Sequence, residues 1–240
     1  MSKLCLSAFV GVFMVLLSAF ADTAVAQALP APLTEQIQDC QSGNAQTCHG
    51  LGLSFAEGRI VARDYRESFR YHQAACNLEH LASCSDIASA FIEGRGVPQN
   101  SPAAAEIYRS NCQLGVSGSC ALLGVYFANG LHGLNNFSDG MDLLERACEL
   151  ASEIGCLWAQ QALEQHGDQA SDIQHYADRH FALVEAGCYG PKPRACYALG
   201  DLYMNSAYLE HDRIAAQAAF ERGCSRDHQL ACTALTHLQE

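Results

Sequence analysis

Six pairs of cysteines recur along the chain, and the members of each pair stand eight positions apart. The first three pairs read CQSGNAQTC, CNLEHLASC and CQLGVSGSC and begin at Cys40, Cys76 and Cys112. Paired cysteines can coordinate zinc, exchange electrons or form disulfides. Zinc ribbons and redox enzymes favour CxxC spacing, and six copies at one offset would be an odd catalytic design. A structural role is therefore favoured.

The N-terminal residues predict an oxidising compartment. Lys3 precedes an apolar run from Leu4 to Phe20, and Ala24-Val25-Ala26 follows, the pattern of a secretory signal peptide over residues 1–26. The run is short for a membrane span, so we expect cleavage before Gln27 and no integral membrane segment afterwards. Residues 27–240 hold 12 of the 13 cysteines. An even number in an exported chain indicates disulfides, in the periplasm or outside the cell.

The cysteine pairs mark a repeated unit. Successive pairs begin 36, 36, 36, 40 and 36 residues apart, a period typical of solenoids. Counted from the second cysteine, positions +3, +4 and +7 form one helical stripe of apolar and small residues, as in Leu51, Gly52 and Phe55. An alanine- and aromatic-rich second helix follows and ends at the next pair. Its expected N-caps are Asp64, Asn100, Asn136 and Asp212, and glycines Gly58, Gly94 and Gly130 should end the first helices.

The chain must reverse between the cysteines of a pair. One continuous helix would separate them by ~12 Å, whereas a disulfide needs Cα atoms within about 7 Å. The glycines expected to supply the reversal are Gly43, Gly115, Gly118, Gly155 and Gly190. Each bridge would then join one repeat to the next. The predicted disulfides are Cys40–Cys48, Cys76–Cys84, Cys112–Cys120, Cys148–Cys156, Cys188–Cys196 and Cys224–Cys232.

Residues 27–240 are therefore predicted to form one all-α domain. It should contain five helix-turn-helix repeats, preceded by one helix before Cys40 and followed by a capping helix from about Ala231. The net charge of −12 and the absence of a basic stripe argue against a nucleic-acid partner. The same acidity disfavours anionic lipid surfaces. We expect a monomer.

The stretch CSDIASAFIEGRGVPQN, residues 84–100, resembles the Sel-one-like repeat (SLR) family, a relative of the tetratricopeptide repeats. The period and cysteine spacing are similar to its disulfide-rich branch, typified by the Helicobacter cysteine-rich proteins. The resemblance implies a right-handed α/α superhelix that binds a protein or peptide on its concave face, as an adaptor in the cell envelope or outside the cell. It also implies an alternative, because that branch is commonly catalogued as β-lactam-binding or β-lactamase-like.

The fourth repeat departs from the family pattern. Gln160 replaces the small residue, His166 stands where the helix-ending glycine is expected, and four extra residues precede Cys188. These changes predict a bend or a protruding loop near residues 165–176.

No catalytic motif supports the β-lactamase alternative. Serine β-lactamases need a serine three residues before a lysine, but Tyr189 occupies that place before Lys192, the only lysine after residue 26. HExxH, HxH and GxSxG are absent, and His175 and His180 do not share a helix face. We predict no catalytic residue, no metal ligand and no cofactor.

Candidate binding residues lie opposite the core stripe, at positions +2, +5 and +9 after the second cysteine. Family architecture would place this face on the concave surface. Trp158, the only tryptophan, fits a binding hot spot or could fill a gap in the fourth repeat. Polar residues that recur on one helix face are more often simply a solvated surface. The candidates are Glu57, Asp86, Glu93, Asn129, Trp158, Gln161, Asp201 and Asn205.

Overall fold

The computed structural model describes residues 31–59, 61–167 and 169–239, so the predicted signal peptide, 1–26, lies outside the described residues. Across these ranges the chain forms α-helices and one 3₁₀ helix, Leu131–Gly133, and no strand. The α-helices are α1 (Ala31–Gln41), α2 (Ala45–Glu57), α3 (Tyr65–Asn77), α4 (Leu81–Glu93), α5 (Ser101–Gln113), α6 (Ser117–Ala128), α7 (Phe137–Glu149), α8 (Glu153–His166), α9 (Ala170–Tyr189), α10 (Pro193–Asn205), α11 (Arg213–Cys224) and α12 (Gln229–Gln239).

Each helix packs on its neighbours in sequence, which gives an α/α solenoid of five helix pairs. The pairs α2–α3, α4–α5, α6–α7, α8–α9 and α10–α11 are the predicted repeats. Helix α1 precedes them and α12 packs on the last pair. None of the helices that the structure describes is long and apolar enough to cross a membrane.

The predicted stripe is the core of every repeat. The +3 residues are all buried: Leu51, Ile87, Leu123, Ala159 and Leu199. Small residues at +4 let the second helix approach closely, because a Cβ on Gly124 would lie only 2.8 Å from Leu144 Cγ. Full burial of each leucine contributes roughly 1.5–3 kcal/mol.

The predicted caps define one end of six helices. The side chains of Asp64, Asn100, Asn136 and Asp212 each accept a hydrogen bond from a first-turn N–H. Gly58 and Gly94 follow α2 and α4 directly, with left-handed φ values of 72° and 69°. The first helix of the third repeat, α6, ends at Ala128, slightly earlier than predicted. Gly130 therefore lies two residues beyond it.

Six disulfides close the repeat junctions. Their Cα–Cα distances lie between 4.4 and 4.8 Å, and each joins the last turn of one helix to the first turn of the next. The pairing is the one expected from the sequence.

The residues that reverse the chain differ in part from the prediction. Gly43 and Gly115 do adopt positive φ, but Gly118 and Gly155 lie inside α6 and α8, and Gly190 has a φ of −89°. The common feature is position: at every junction except the fifth, where Pro191 stands, the third residue after the first cysteine takes the left-handed conformation. Three such residues are not glycine: Glu79, Ala151 and Asp227.

The prediction of a protruding loop near residues 165–176 is wrong, because most of that range is helical, whereas the alternative, a bend, stays a prediction. Helix α8 continues to His166, where Gly167 provides the left-handed cap at a φ of 83°. Helix α9 begins at Ala170 and runs for 20 residues. The extra residues of the fourth repeat therefore lengthen its second helix.

Reduction should lower the melting temperature sharply. A bridge that closes a loop this short contributes about 2.5 kcal/mol in the chain-entropy treatment. Circular-dichroism melting with and without reductant measures the loss. Thiol titration of the native protein should detect none of the twelve junction cysteines, and finding twelve thiols would contradict the disulfides.

Ala151→Gly should stabilise the protein by about 0.5–1 kcal/mol. Ala151 is exposed and has a φ of 58°, which strains an L-residue more than it would a glycine. Urea unfolding measures the change. The matched control is Ala218→Gly in the exposed interior of α11, which should destabilise by about 1 kcal/mol. Loss of stability in both variants would contradict strain at Ala151.

Candidate functional site

Two histidines and a carboxylate from three helices meet between the first and second repeats. His49 belongs to α2, His72 to α3 and Asp86 to α4. One ligand atom from each lies within 4.8 Å of the other two. Asp86 Oδ2 lies 3.2 Å from His72 Nδ1 and 3.5 Å from His49 Nδ1.

His72 occupies a position that is otherwise a core position of the repeat. Four residues before the first cysteine, the other repeats carry Tyr108, Leu144, Val184 and Phe220, and all are buried. The imidazole lies directly on the backbone of α2, because a Cβ on Gly52 would be 2.7 Å from its ring atoms. The helix packing thus fixes a titratable ring where the fold normally places an apolar one.

Ser83 and His80 complete the cluster. Ser83 Oγ lies 2.9 Å from His49 Nδ1, 3.1 Å from His80 Nδ1 and 3.4 Å from His72 Nδ1. His80 Nδ1 caps α4 by accepting the Ser83 N–H, so its Nε2 carries the proton and donates to Gln46 Oε1 at 3.2 Å. Ser83 has one hydroxyl proton, so it can donate a hydrogen bond to only one of these three ring nitrogens at a time.

Burial controls the ionisation of the cluster. Burial, with smaller contributions from the neighbouring His49 and His80, lowers the pKa of His72 to about 4. The pKa of His49 is lowered by burial and then by His80. Burial raises the pKa of Asp86 to about 6. At neutral pH, the uncharged imidazoles of His49 and His72 therefore lie beside an ionised Asp86 carboxylate.

The carboxylate is only partly satisfied. Asp86 Oδ2 is buried and has no hydrogen-bond partner, since neither nearby ring nitrogen meets hydrogen-bond geometry. The Asp86 side chain as a whole is 38% exposed. It reaches a cleft of about 210 Å³ that His72, Glu57 and Ser89 also line. Solvent species can therefore approach the cluster through this cleft.

The arrangement fits cation binding better than nucleophilic catalysis. Two imidazoles and a carboxylate are ligands found in zinc sites. A serine triad needs one imidazole whose two nitrogens face the serine and the acid separately. Here Nδ1 of His72 faces both Ser83 and Asp86, and Ser83 is fully buried from substrate. The β-lactamase alternative gains no support from this serine.

Two of the predicted binding residues, Glu57 and Asp86, line one cleft. Glu57 and Glu93 are exposed at the ends of their helices and form ion pairs with Arg59 and Arg95. The remaining polar candidates are exposed in later repeats: Asn129, Gln161, Asp201 and Asn205. Asn205 Nδ2 donates to Asp201 Oδ1 at 2.8 Å.

Trp158 is half-buried. Its side chain packs against the cluster that contains Cys120 and Ala147, and against the cluster that contains Leu144. Much of the ring therefore serves the packing between the third and fourth repeats.

The sequence prediction of no metal ligand did not consider this cluster. HExxH and HxH report ligands on one helix or strand, whereas these three residues come from three helices. The sequence did contain one signal for it. Four residues before the first cysteine, the first repeat has His72, whereas every other repeat has a large apolar residue.

In chelator-treated protein, the His72 imidazole should stay neutral until the pH falls to about 4, because burial penalises its charged form. NMR titration of its ring protons, assigned with His72→Leu, measures the midpoint. In the reduced, denatured chain the same ring should titrate near 6.5. A folded-state midpoint at or above 6.5 would contradict the buried neutral ring.

Known proteins share this fold. A Sel1 repeat protein from Oxalobacter formigenes superposes with a TM-score of 0.60 at 17% identity, over 81% of this chain and 78% of that one. A protective antigen present in uropathogenic Escherichia coli strains, which displays an SLR fold, gives a TM-score of 0.55 at 18% identity over 85% of this chain. The match spans 43% of that antigen, so the chain corresponds to less than half of its length.

The sequence matches the Sel1 repeat over residues 45–80, 81–116, 117–152 and 193–228, which are repeats one, two, three and five. The irregular fourth repeat falls between the last two matches. No match is found among curated protein sequences. Since the four matches cover more than half of its length, the chain belongs to the Sel1 repeat family.

Proposed function

We propose that the chain is an exported scaffold that binds a protein or peptide through the +5 and +9 face of its first helices. The observation that carries this proposal is a continuous exposed column: the +9 residue is exposed in all five repeats. These residues are Glu57, Glu93, Asn129, Gln165 and Asn205. Membership of the Sel1 repeat family, whose repeats suggest an interaction role, supports the same function.

The chemistry of this face favours a polar partner. Apart from Leu53, its exposed groups are carboxylates and amides, and the whole chain has a net charge of −12. A ligand with basic groups or amide donors would be complementary, and electrostatic attraction would accelerate the encounter. Exposed rim charges affect association rate more than final affinity, so the amides are expected to contribute specificity.

Export and an extracytoplasmic location are part of the proposal. The signal-like N-terminal sequence supports export, and six disulfides support an oxidising compartment, either the periplasm or the exterior. The protein would act there as a monomeric adaptor held in shape by its bridges.

Site-specific photo-crosslinking in intact cells tests the binding face. A crosslinker at Gln161 or Asn205 should capture the same polypeptide, because both positions are exposed on the first helices. The matched controls are Gln73 and Glu106, exposed positions on the second helices α3 and α5. Crosslinks of equal pattern from both faces, or none from the first helices, would argue against the proposal.

The captured partner then allows an affinity measurement. The combined variant Glu93→Ala, Asn129→Ala and Asn205→Ala should raise its Kd by about tenfold or more if this column contains the binding energy. Gln73→Ala with Glu106→Ala is the control and should leave the Kd unchanged.

A further inference from the structure

We propose that His49, His72 and Asp86 form a binding site for one divalent transition-metal ion of the zinc class. The ligands would be Nδ1 of each histidine and Oδ2 of the aspartate. Bonds of 2.0–2.1 Å in a tetrahedral zinc site separate ligand atoms by about 3.3 Å. The observed separations from Asp86 Oδ2, 3.2 and 3.5 Å, agree with that value.

The donor set selects this class of ion. Imidazole nitrogens suit zinc, copper and nickel, whereas magnesium and calcium prefer sites made wholly of oxygen. The two rings approach through Nδ1, and the Asp86 oxygen that they face is buried without a hydrogen-bond partner. A cation between the three atoms would satisfy all of them together.

A fourth coordination position is open to two donors. Ser83 Oγ lies beside both rings, at 2.9 Å from His49 Nδ1 and 3.4 Å from His72 Nδ1. The second donor is water, because the cleft lined by His72 and Asp86 brings solvent to two of the three ligands. Thiolates do not compete nearby, because Cys48, Cys76 and Cys84 are in disulfides.

The ion would add a link that the disulfides do not supply. Cys76–Cys84 already joins α3 to α4, whereas no disulfide connects α2 with α3. A metal held by His49, His72 and Asp86 ties all three helices and fixes the first repeat on the second. Binding to the folded state alone should raise the melting temperature with metal concentration. Glu57 of the proposed peptide-binding column lines the same cleft, but none of the three metal ligands belongs to that column, so either proposal can fail without the other.

The test uses Zn²⁺ itself, added to oxidised, chelator-treated protein without a polyhistidine tag. Isothermal titration calorimetry should show one saturable Zn²⁺ per chain and none with Mg²⁺. Asp86→Asn keeps the size of the side chain and should weaken Zn²⁺ binding by more than about tenfold, since loss even of outer groups around a metal costs 10–100-fold. His72→Leu, which copies Leu144 of the third repeat, should do the same.

His175→Ala is the matched control, because His175 is an exposed histidine on α9 outside the cluster, and it should bind Zn²⁺ as the wild type does. The rise in melting temperature with Zn²⁺ should disappear in Asp86→Asn and persist in His175→Ala. The proposal is overturned if the wild type shows no saturable one-to-one binding, or if Asp86→Asn loses less than tenfold in affinity. Because Asp86 is partly exposed, Asp86→Asn should fold. That variant therefore remains decisive if His72→Leu does not fold.

Discussion

Close approach of the two helices within each repeat is the constraint on which the rest of the structure depends. In the first, third and fifth repeats the +4 residue is glycine and there is no room for a Cβ: one built on Gly52, Gly124 or Gly200 would lie within 2.8 Å of the side chain of His72, Leu144 or Phe220. The second helix therefore rests on the backbone of the first. Whatever residue occupies that contact is buried, whether it is a leucine, a phenylalanine or a histidine.

The disulfides act on the other contact, between repeats. Each closes a reversal of eight residues, so the end of one repeat and the start of the next stay within 4.8 Å at their Cα atoms. A solenoid buries little surface between distant repeats, and its stability depends on such neighbouring interfaces. The bridges strengthen the interfaces that an elongated fold most needs.

The repeat pattern made much of the fold predictable. Helix order, the buried +3 residues and the caps at Asp64 and Asn100 all follow from local periodicity and side-chain hydrogen bonding. The prediction of a protruding loop in the fourth repeat was wrong, because the displaced glycine and the four extra residues did not interrupt helix formation there. In the fourth repeat no loop interrupts residues 170–176, because Gly167 ends α8 and the remaining residues extend α9.

The sequence by itself determined the helix pairs, their period and the cysteines that can meet, since each depends on residues close together in the chain. Only the tertiary structure decided that His49, His72 and Asp86 converge, because their meeting depends on how three helices pack. Tertiary packing also decided that Trp158 is half-buried, and that Asp86 is a half-buried acid beside two imidazoles rather than a member of an open polar face.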